Sequence, residues 1–406
     1  MDSPTRSSAV PRNVLIVMPR WVRDGGVGAH MMRSAAALAD AGAEVAVLVA
    51  RIESDERIEG VEVIHSPLLY KTDEMEPRFA EALAREPEVV HLNQLDDPGV
   101  VAFLRRRAPV VLSAHSYLAC ASSVHYFRPG EGCGRAHGPG CVPNLLLRGC
   151  AHRWNVTAFA GEYRKAGREL EAMRSADMVI GYSQAMERHL RAAGVARRRV
   201  VPYFPTLDPL AGDGEESRRV VFAGRLHRSK GAETLLRAAR DLDAELRICG
   251  DGAELPRLRR LAVRLGIGDR VAFRGWLAPG ELAQEFADAA LVAMPSLWPE
   301  PFGLVGIEGF ATGRPAVASA TGGIPEWLEH GVSGLTVPAG DHRALAAALG
   351  ELLADPARRH AMGEAGRATV AARYSRAAHV EALAGAYADA RSAWQDSRGP
   401  AVPAAS

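Results

Sequence analysis

The stretch Pro295–Pro315 reads PSLWPEPFGLVGIEGFATGRP, and the apolar run ALVAM at Ala290–Met294 precedes it. ALVAM suits a short buried strand. Pro299 and Pro301 exclude helix just before Gly303, which places Glu300 in a rigid turn. A helix is expected from Gly303 to Thr312, with Gly313 as its stop and Pro315 just beyond. Its first turn, Gly303-Leu304-Val305, offers no side chain able to cap the free amides. Those N–H groups and the positive helix end suit an outside anion such as a diphosphate. Glu300 and Glu308 flank that anion site. A diphosphate repels carboxylates, so both acids are better suited to accept hydrogen bonds from neutral hydroxyls. A nucleotide sugar carries both features, a diphosphate between a ribose and a hexose.

The chain around this stretch alternates strand and helix patterns. It has 406 residues, 48% hydrophobic and 24% charged, enough for two to three domains with full cores. With a formal net charge of +1, nothing argues for wholesale nucleic-acid binding. The first dozen residues lack the apolar core of a signal peptide, and no uninterrupted apolar run approaches a membrane span, so a cytoplasmic location is expected. Five cysteines, an odd number, argue against a secreted disulfide framework.

Strands are expected at Asn13–Met18, Glu44–Ala50, Val61–Ile64, Val89–Leu92, Val110–Ala114, Met178–Tyr182 and Val200–Phe204. The segment 206–217, TLDPLAGDGEES, reads as a linker, after which the alternation restarts at Arg219–Ala223, Glu245–Cys249, Arg270–Arg274, Ala290–Met294 and Ala316–Ala320. The fold class is α/β, two doubly wound Rossmann-like domains. The expected limits are a flexible start at 1–12, a first domain at 13–205, a second at 218–375, a helix at 376–396 crossing back to the first domain, and a disordered tail at 397–406. Gly26 and Gly28 give G-x-G after the first strand, but Met31 holds the third glycine position, which weakens a dinucleotide-binding reading.

Glu300 and Glu308 in the frame E-P-F-G-L-V-x-x-E resemble the signature of the retaining glycosyltransferases of family 4, which have the GT-B fold. The resemblance covers nearly the whole chain, most strongly Val220–Pro338, and implies two domains with a cleft between them. It also implies retention at the anomeric carbon and no metal required for catalysis. Gly26 and Gly28, with Gly25, match the family's glycine loop near donor phosphate or acceptor. Gly224-Arg225-Leu226 with Lys230-Gly231 resembles its phosphate grip, where two fixed cations would stabilise a leaving diphosphate. Gly252 fits a tight turn near the nucleotide, and the backbone around Arg274 resembles the segment that reads the base edge. Thr321–Glu326 matches a GG-x-P-E loop. By the same resemblance Leu304 and Val305 lend amides to the phosphate, Glu308 holds ribose hydroxyls, and Glu300 a sugar hydroxyl. His115, directly after a strand, matches a histidine that contacts the donor sugar.

The resemblance favours UDP as the donor base, with GDP second. The acceptor carries a hydroxyl: a glycan, a lipid-linked glycan or a small metabolite. The segment 117–153 is an insertion in which Cys120, Cys133, Cys141 and Cys150 could hold a structural zinc, though without the C-x2-C spacing that marks such sites. Disulfides and inert thiols are the other options. The basic helix expected at Trp154–Ser175 offers a peripheral membrane contact, but Glu162, Glu169 and Glu171 dilute its charge and favour a solvated face. A sugar-nucleotide epimerase, a catalytically silent nucleotide-sugar-binding protein and an NAD oxidoreductase are the rival readings.

Overall fold

The structure, a computed structural model, describes residues 10–22, 26–70, 74–117, 137–142, 156–210, 212 and 217–398. These residues divide into two compact units. One holds the chain through Pro202 together with the helix from Arg376, and the other runs from Tyr203 to Ser375. The chain passes from one to the other after Pro202, ahead of the linker expected at 206–217.

The first unit contains β1 (Asn13–Trp21), α1 (Gly26–Asp40), β2 (Glu44–Ile52), β3 (Val61–His65), α2 (Met75–Leu83), β4 (Val89–Asn93) and α3 (Pro98–Arg105). It continues with β5 (Val110–Ser113), α4 (Val156–Ser175), β6 (Met178–Gly181), α5 (Gln184–Ala192) and β7 (Arg198–Val200). Among the described residues its sheet has seven strands, all parallel, in the order β3-β2-β1-β4-β5-β6-β7. Strands β4, β5 and β6 are buried at every position, as sheets covered on both faces require.

The second unit contains β8 (Arg219–Ala223), a 3-10 turn at Arg228–Lys230, α6 (Ala232–Ala238), β9 (Glu245–Cys249), α7 (Leu255–Arg264), β10 (Val271–Gly275), α8 (Pro279–Ala287) and β11 (Leu291–Met294). After these come α9 (Leu304–Ala311), β12 (Ala316–Ser319), α10 (Ile324–Trp327), β13 (Gly334–Val337), α11 (His342–Ala354) and α12 (Pro356–Arg373). Its parallel strands run β10-β9-β8-β11-β12-β13. The strand order reverses between β8 and β11, and ligands of open α/β sheets bind at that switch, outside the strands' carboxyl ends. The loop after β8 carries Lys230 and the loop after β11 carries Glu300.

The last helix, α13 (Arg376–Asp396), belongs to the first unit. It buries His379, Leu383, Ala384, Ala386, Tyr387 and Ala390. The Tyr387 hydroxyl lies 2.9 Å from Nδ1 of His91 on β4, and the Trp394 indole N–H donates to the Arg105 carbonyl at 2.6 Å. The alanines let the helix approach closely, and the two polar tips fix its register.

Three local expectations are corrected. First, β1 runs on to Trp21 and α1 opens at Gly26, so Gly26 and Gly28 sit in the first helical turn, not in an open loop. A side chain at Gly28 would meet Val22 of the same chain at 2.7 Å, so the close approach there is internal. Second, the strand expected at Val200–Phe204 is Arg198–Val200, because Pro202 has no N–H to continue a ladder. Third, the Thr321–Glu326 loop becomes helical at Ile324, with Pro325 in its first turn.

Candidate functional site

The loop after β8 turns back through Gly231, whose φ is 74°; a Cβ there would come within 1.8 Å of the Pro295 carbonyl oxygen. Only glycine permits that contact, and it brings the 3-10 turn against the start of the β11–α9 loop. The Leu297 amide donates to the Ser229 carbonyl at 2.7 Å and locks the two loops together. Lys230 Nζ then meets both oxygens of Glu300, at 2.8 and 2.9 Å. The Ser296 hydroxyl donates to Glu300 Oε1 at 2.6 Å, and the ammonium lies 5.5 Å from the Trp298 ring centre. Glu300 is 4% exposed. Its backbone is clamped by Gly322, φ 61°, where a Cβ would lie 2.1 Å from the Glu300 carbonyl oxygen. Removing this carboxylate from water costs several kcal/mol unless it is paired and hydrogen-bonded, and Lys230 with Ser296 supplies both.

Helix α9 begins directly after this loop. Its N-cap Gly303 has φ 94° and makes no side-chain cap hydrogen bond. Leu304 and Val305 are half-buried in its first turn. Glu308, one turn on, is 5% exposed and accepts the Thr206 hydroxyl at 2.7 Å. Burial pushes its carboxyl up to about 7, against the opposing hydrogen bond from Thr206. Both signature acids are therefore held inside the second unit, and neither is a solvated surface charge.

Around them, the Gly224 amide donates to the Cys249 carbonyl at 2.9 Å, and the Gly252 amide to its neighbour Asp251 Oδ1 at 2.7 Å. Both lie in the turns at the carboxyl ends of β8 and β9. Arg225 is exposed in the same loop as Lys230. The side chain of Arg274 is committed elsewhere: its Nε donates to Glu285 at 2.7 Å. A cavity of about 340 Å³ opens beside the Lys230 loop, lined among others by His227, Arg228, Glu233, Arg237 and His342.

His115 lies in the first unit, just past β5, half-buried. Its ring stacks on Tyr182, centres 4.9 Å apart and planes 20° apart, and its Nε2 lies 3.0 Å from Asn93 Oδ1. Burial lowers its pKa to about 3, so the imidazole is neutral at pH 7. The zinc expectation falls mainly outside the described residues, which include neither Cys120, Cys133 nor Cys150. Cys141 is half-buried with a free thiol. Among the described residues no three His, Cys, Asp or Glu side chains converge to hold a metal. No helix among them is long and apolar enough to cross a membrane.

Sequence reasoning missed the partners. Ser296 sits four residues before Glu300 in the same quoted stretch and could have been weighed. Thr206, 102 positions from Glu308, and Asn93, 22 positions from His115, have no local signal.

Two sequence families match this chain. "Glycosyl transferases group 1" covers residues 211–369, and "Glycosyl transferase 4-like domain" covers residues 25–203. A D-inositol 3-phosphate glycosyltransferase of Corynebacterium jeikeium is 42% identical over 174 residues, 40% of this chain and 41% of that protein. D-inositol 3-phosphate glycosyltransferase 1 of Catenulispora acidiphila is 33% identical over 291 residues, 65% of this chain and 67% of that protein. The first curated relatives are matched over 41%, 36% and 40% of their length. Among solved structures, sucrose-phosphate synthase from Thermosynechococcus elongatus superposes with a TM-score of 0.70 at 25% identity, covering 93% of this chain and 98% of that one. With two parallel α/β units, each wound about a switch point, and both halves matched in sequence, the chain belongs to the GT-B glycosyltransferases of the family 4 type.

Proposed function

We propose that the protein transfers a hexosyl unit from a nucleotide diphosphate sugar to a hydroxyl acceptor, with retention at the anomeric carbon. The observation that carries this reading is the Lys230–Glu300–Ser296 cluster, its acid and hydroxyl buried and its ammonium half-buried, just before the uncapped start of α9. Lys230 and the uncapped amides of Leu304 and Val305 belong to the segments that follow the two strands at the sheet switch point, and a fixed cation with helix-start amides is what a leaving diphosphate requires. Glu300 orients Lys230, and the ammonium has three N–H donors, so it can serve the carboxylate and a phosphate oxygen together. Arg225 adds a second cation. The amides of Leu304 and Val305 complete the grip, with Gly224 and Gly252 lining the turns nearby. Glu308 takes the ribose hydroxyls, and Glu300 shares a sugar hydroxyl.

On this reading the bond from the anomeric carbon to the diphosphate oxygen breaks while the acceptor oxygen bonds to that carbon on the same face. The acceptor proton passes to the departing diphosphate. Two cations and helix amides carry the developing charge, so the scheme requires no metal. A UDP-sugar is the first donor to test and a GDP-sugar the second. The names of the inositol-phosphate relatives make D-inositol 3-phosphate the first acceptor. Lys230→Met should lower acceptor-dependent release of nucleoside diphosphate at least about 100-fold, the size of losing one transition-state donor. It should also leave the buried Glu300 without its lysine, at a stability cost of about 3 kcal/mol. Donor isomerisation without acceptor would favour the epimerase, and turnover unchanged in Lys230→Met would remove the proposal.

A further inference from the structure

The cavity beside the Lys230 loop lies wholly within the second unit, and none of the residues proposed above to hold the donor lines it. Its volume of about 340 Å³ is at the small end of ligand pockets, which span on the order of 300–1,000 Å³. The 3-10 turn Arg228–Lys230 serves both places: Arg228 lines the cavity, while Lys230 reaches Glu300. Ala232, Leu258 and Leu297 give the cavity apolar walls. Two acids line it, and arginines occupy both. Glu233 Oε1 accepts from Arg237 at 2.9 and 3.1 Å, and its Oε2 accepts from Arg257 at 2.5 Å. Glu254 Oε2 accepts from the same Arg257 at 2.8 Å. Asp341, beside His342, spends its carboxylate on the Arg343 and Ala344 amides, each at 3.0 Å, so the start of α11 is already capped. Two arginines thus offset the two acids of the wall, and Arg228 is left over. It is exposed, and neither it nor the His342 ring takes part in a hydrogen bond or salt bridge among the described residues. A cation left unbalanced in a walled hollow concentrates small anions there.

We propose that this cavity is a second ligand site, which takes the phosphate monoester of a small hydroxylated molecule. Arg228 meets the phosphate with two parallel N–H donors, a fork that matches phosphate oxygens, and His342 adds a donor from α11. The apolar walls cover the carbon skeleton, which inorganic phosphate lacks. Glu233 and Glu254 keep carboxylate lone pairs for its hydroxyls, since each oxygen can accept more than one hydrogen. The chemistry differs from that of the donor site, where Lys230, Arg225 and helix amides meet a diphosphate. The second site does not depend on the transferase reading, so either can fail alone.

Glycerol 3-phosphate titrated into the full-length protein tests the site. Its 31P relaxation reports binding, inorganic phosphate is measured the same way, and glycerol enters as a competitor. The wild-type protein and Lys230→Met should bind glycerol 3-phosphate saturably and alike, several-fold more tightly than inorganic phosphate. Arg228→Gln changes an exposed side chain, and an unshifted melting curve checks that it folds. It should weaken binding about tenfold or more, as loss of a charged hydrogen-bond partner does. Arg228→Lys should restore part of the affinity, because a point charge replaces the fork. Absence of saturable binding, or binding unchanged in Arg228→Gln, overturns the proposal. Loss of binding in Lys230→Met would place the ligand at the donor site and overturn it too. Inorganic phosphate bound as tightly as the ester would show a bare ion site. Glycerol competing as well as the ester would show that the phosphate is not read. Either result contradicts the assignment.

Discussion

Glu308 carries an acid whose titration falls in the neutral range, because burial raises it to about 7 while the Thr206 hydroxyl pulls it the other way. If it holds the ribose as an acceptor, the ionised form binds better. Donor affinity should then weaken as pH falls from 8 to 6, since a proton must leave before the hydroxyls bind. Glu308→Gln should bind the donor more weakly at pH 8 and flatten the pH dependence. Calorimetric titration at both pH values checks this, and an undiminished slope in the variant would contradict the assignment. Lys230 and Glu300 show how far single residues were legible. The sequence placed both beside a phosphate, but not that each is the other's partner, because an ion pair 70 positions apart has no local signature. Arg274 shows the reverse: its place at the end of a strand was legible, its commitment to Glu285 was not.

Helix α9 is held by what surrounds it. Gly306 sits on its buried face, and a Cβ there would come within 1.9 Å of the Trp327 ring of α10. That ring is locked by its indole N–H donating to the Phe302 carbonyl at 2.7 Å. Gly306→Ala must therefore push the helix off α10 or displace the indole. We expect a destabilisation of about 1–3 kcal/mol by urea unfolding. We also expect loss of diphosphate binding that exceeds the stability loss, because the amides at the helix start move with it. A variant as stable as wild type would show that the packing is not tight. The pattern of α9 was readable from Gly303, Gly313 and the prolines, whose backbone limits are local. The extension of β1 beyond Met18 was not: continuing the strand to Trp21 depends on β2 beside it, with Trp21 opposite Ile52. The short strand Gly334–Val337 was missed for the same reason, since only pairing with β12 defines it.

Across the molecule, the same 3-2-1-4-5-6 strand order appears in both units, with a seventh strand in the first. The units differ in what they bury. The first encloses His30, His91 and His379, with His115 half-buried beside them; burial lowers His91 and His115 to about 3 and His379 to about 4. An unfolded histidine titrates near 6.5. Above that value neither state binds protons there; as pH falls through 6.5 the unfolded chain takes up protons that the folded one refuses. Stability should decline from about pH 6.5 towards 4, by on the order of 2 kcal/mol per histidine at pH 5. Glu308 acts with the opposite sign, losing stability as pH rises through about 7. Urea midpoints at pH 7 and 5 should show a net fall on acidification, reduced in His379→Gln, and a rise would contradict the neutral cluster. The most direct measurement of the central claim is the melting temperature of the full-length protein with UDP and with GDP, beside Lys230→Met. At a hundredfold excess over Kd, a diphosphate bound only by the folded state adds about 2.7 kcal/mol. The account predicts that at least one of the two raises the wild-type melting temperature by about 5 °C or more and leaves Lys230→Met nearly unmoved. No shift with either nucleotide, or an equal shift in the variant, would contradict it.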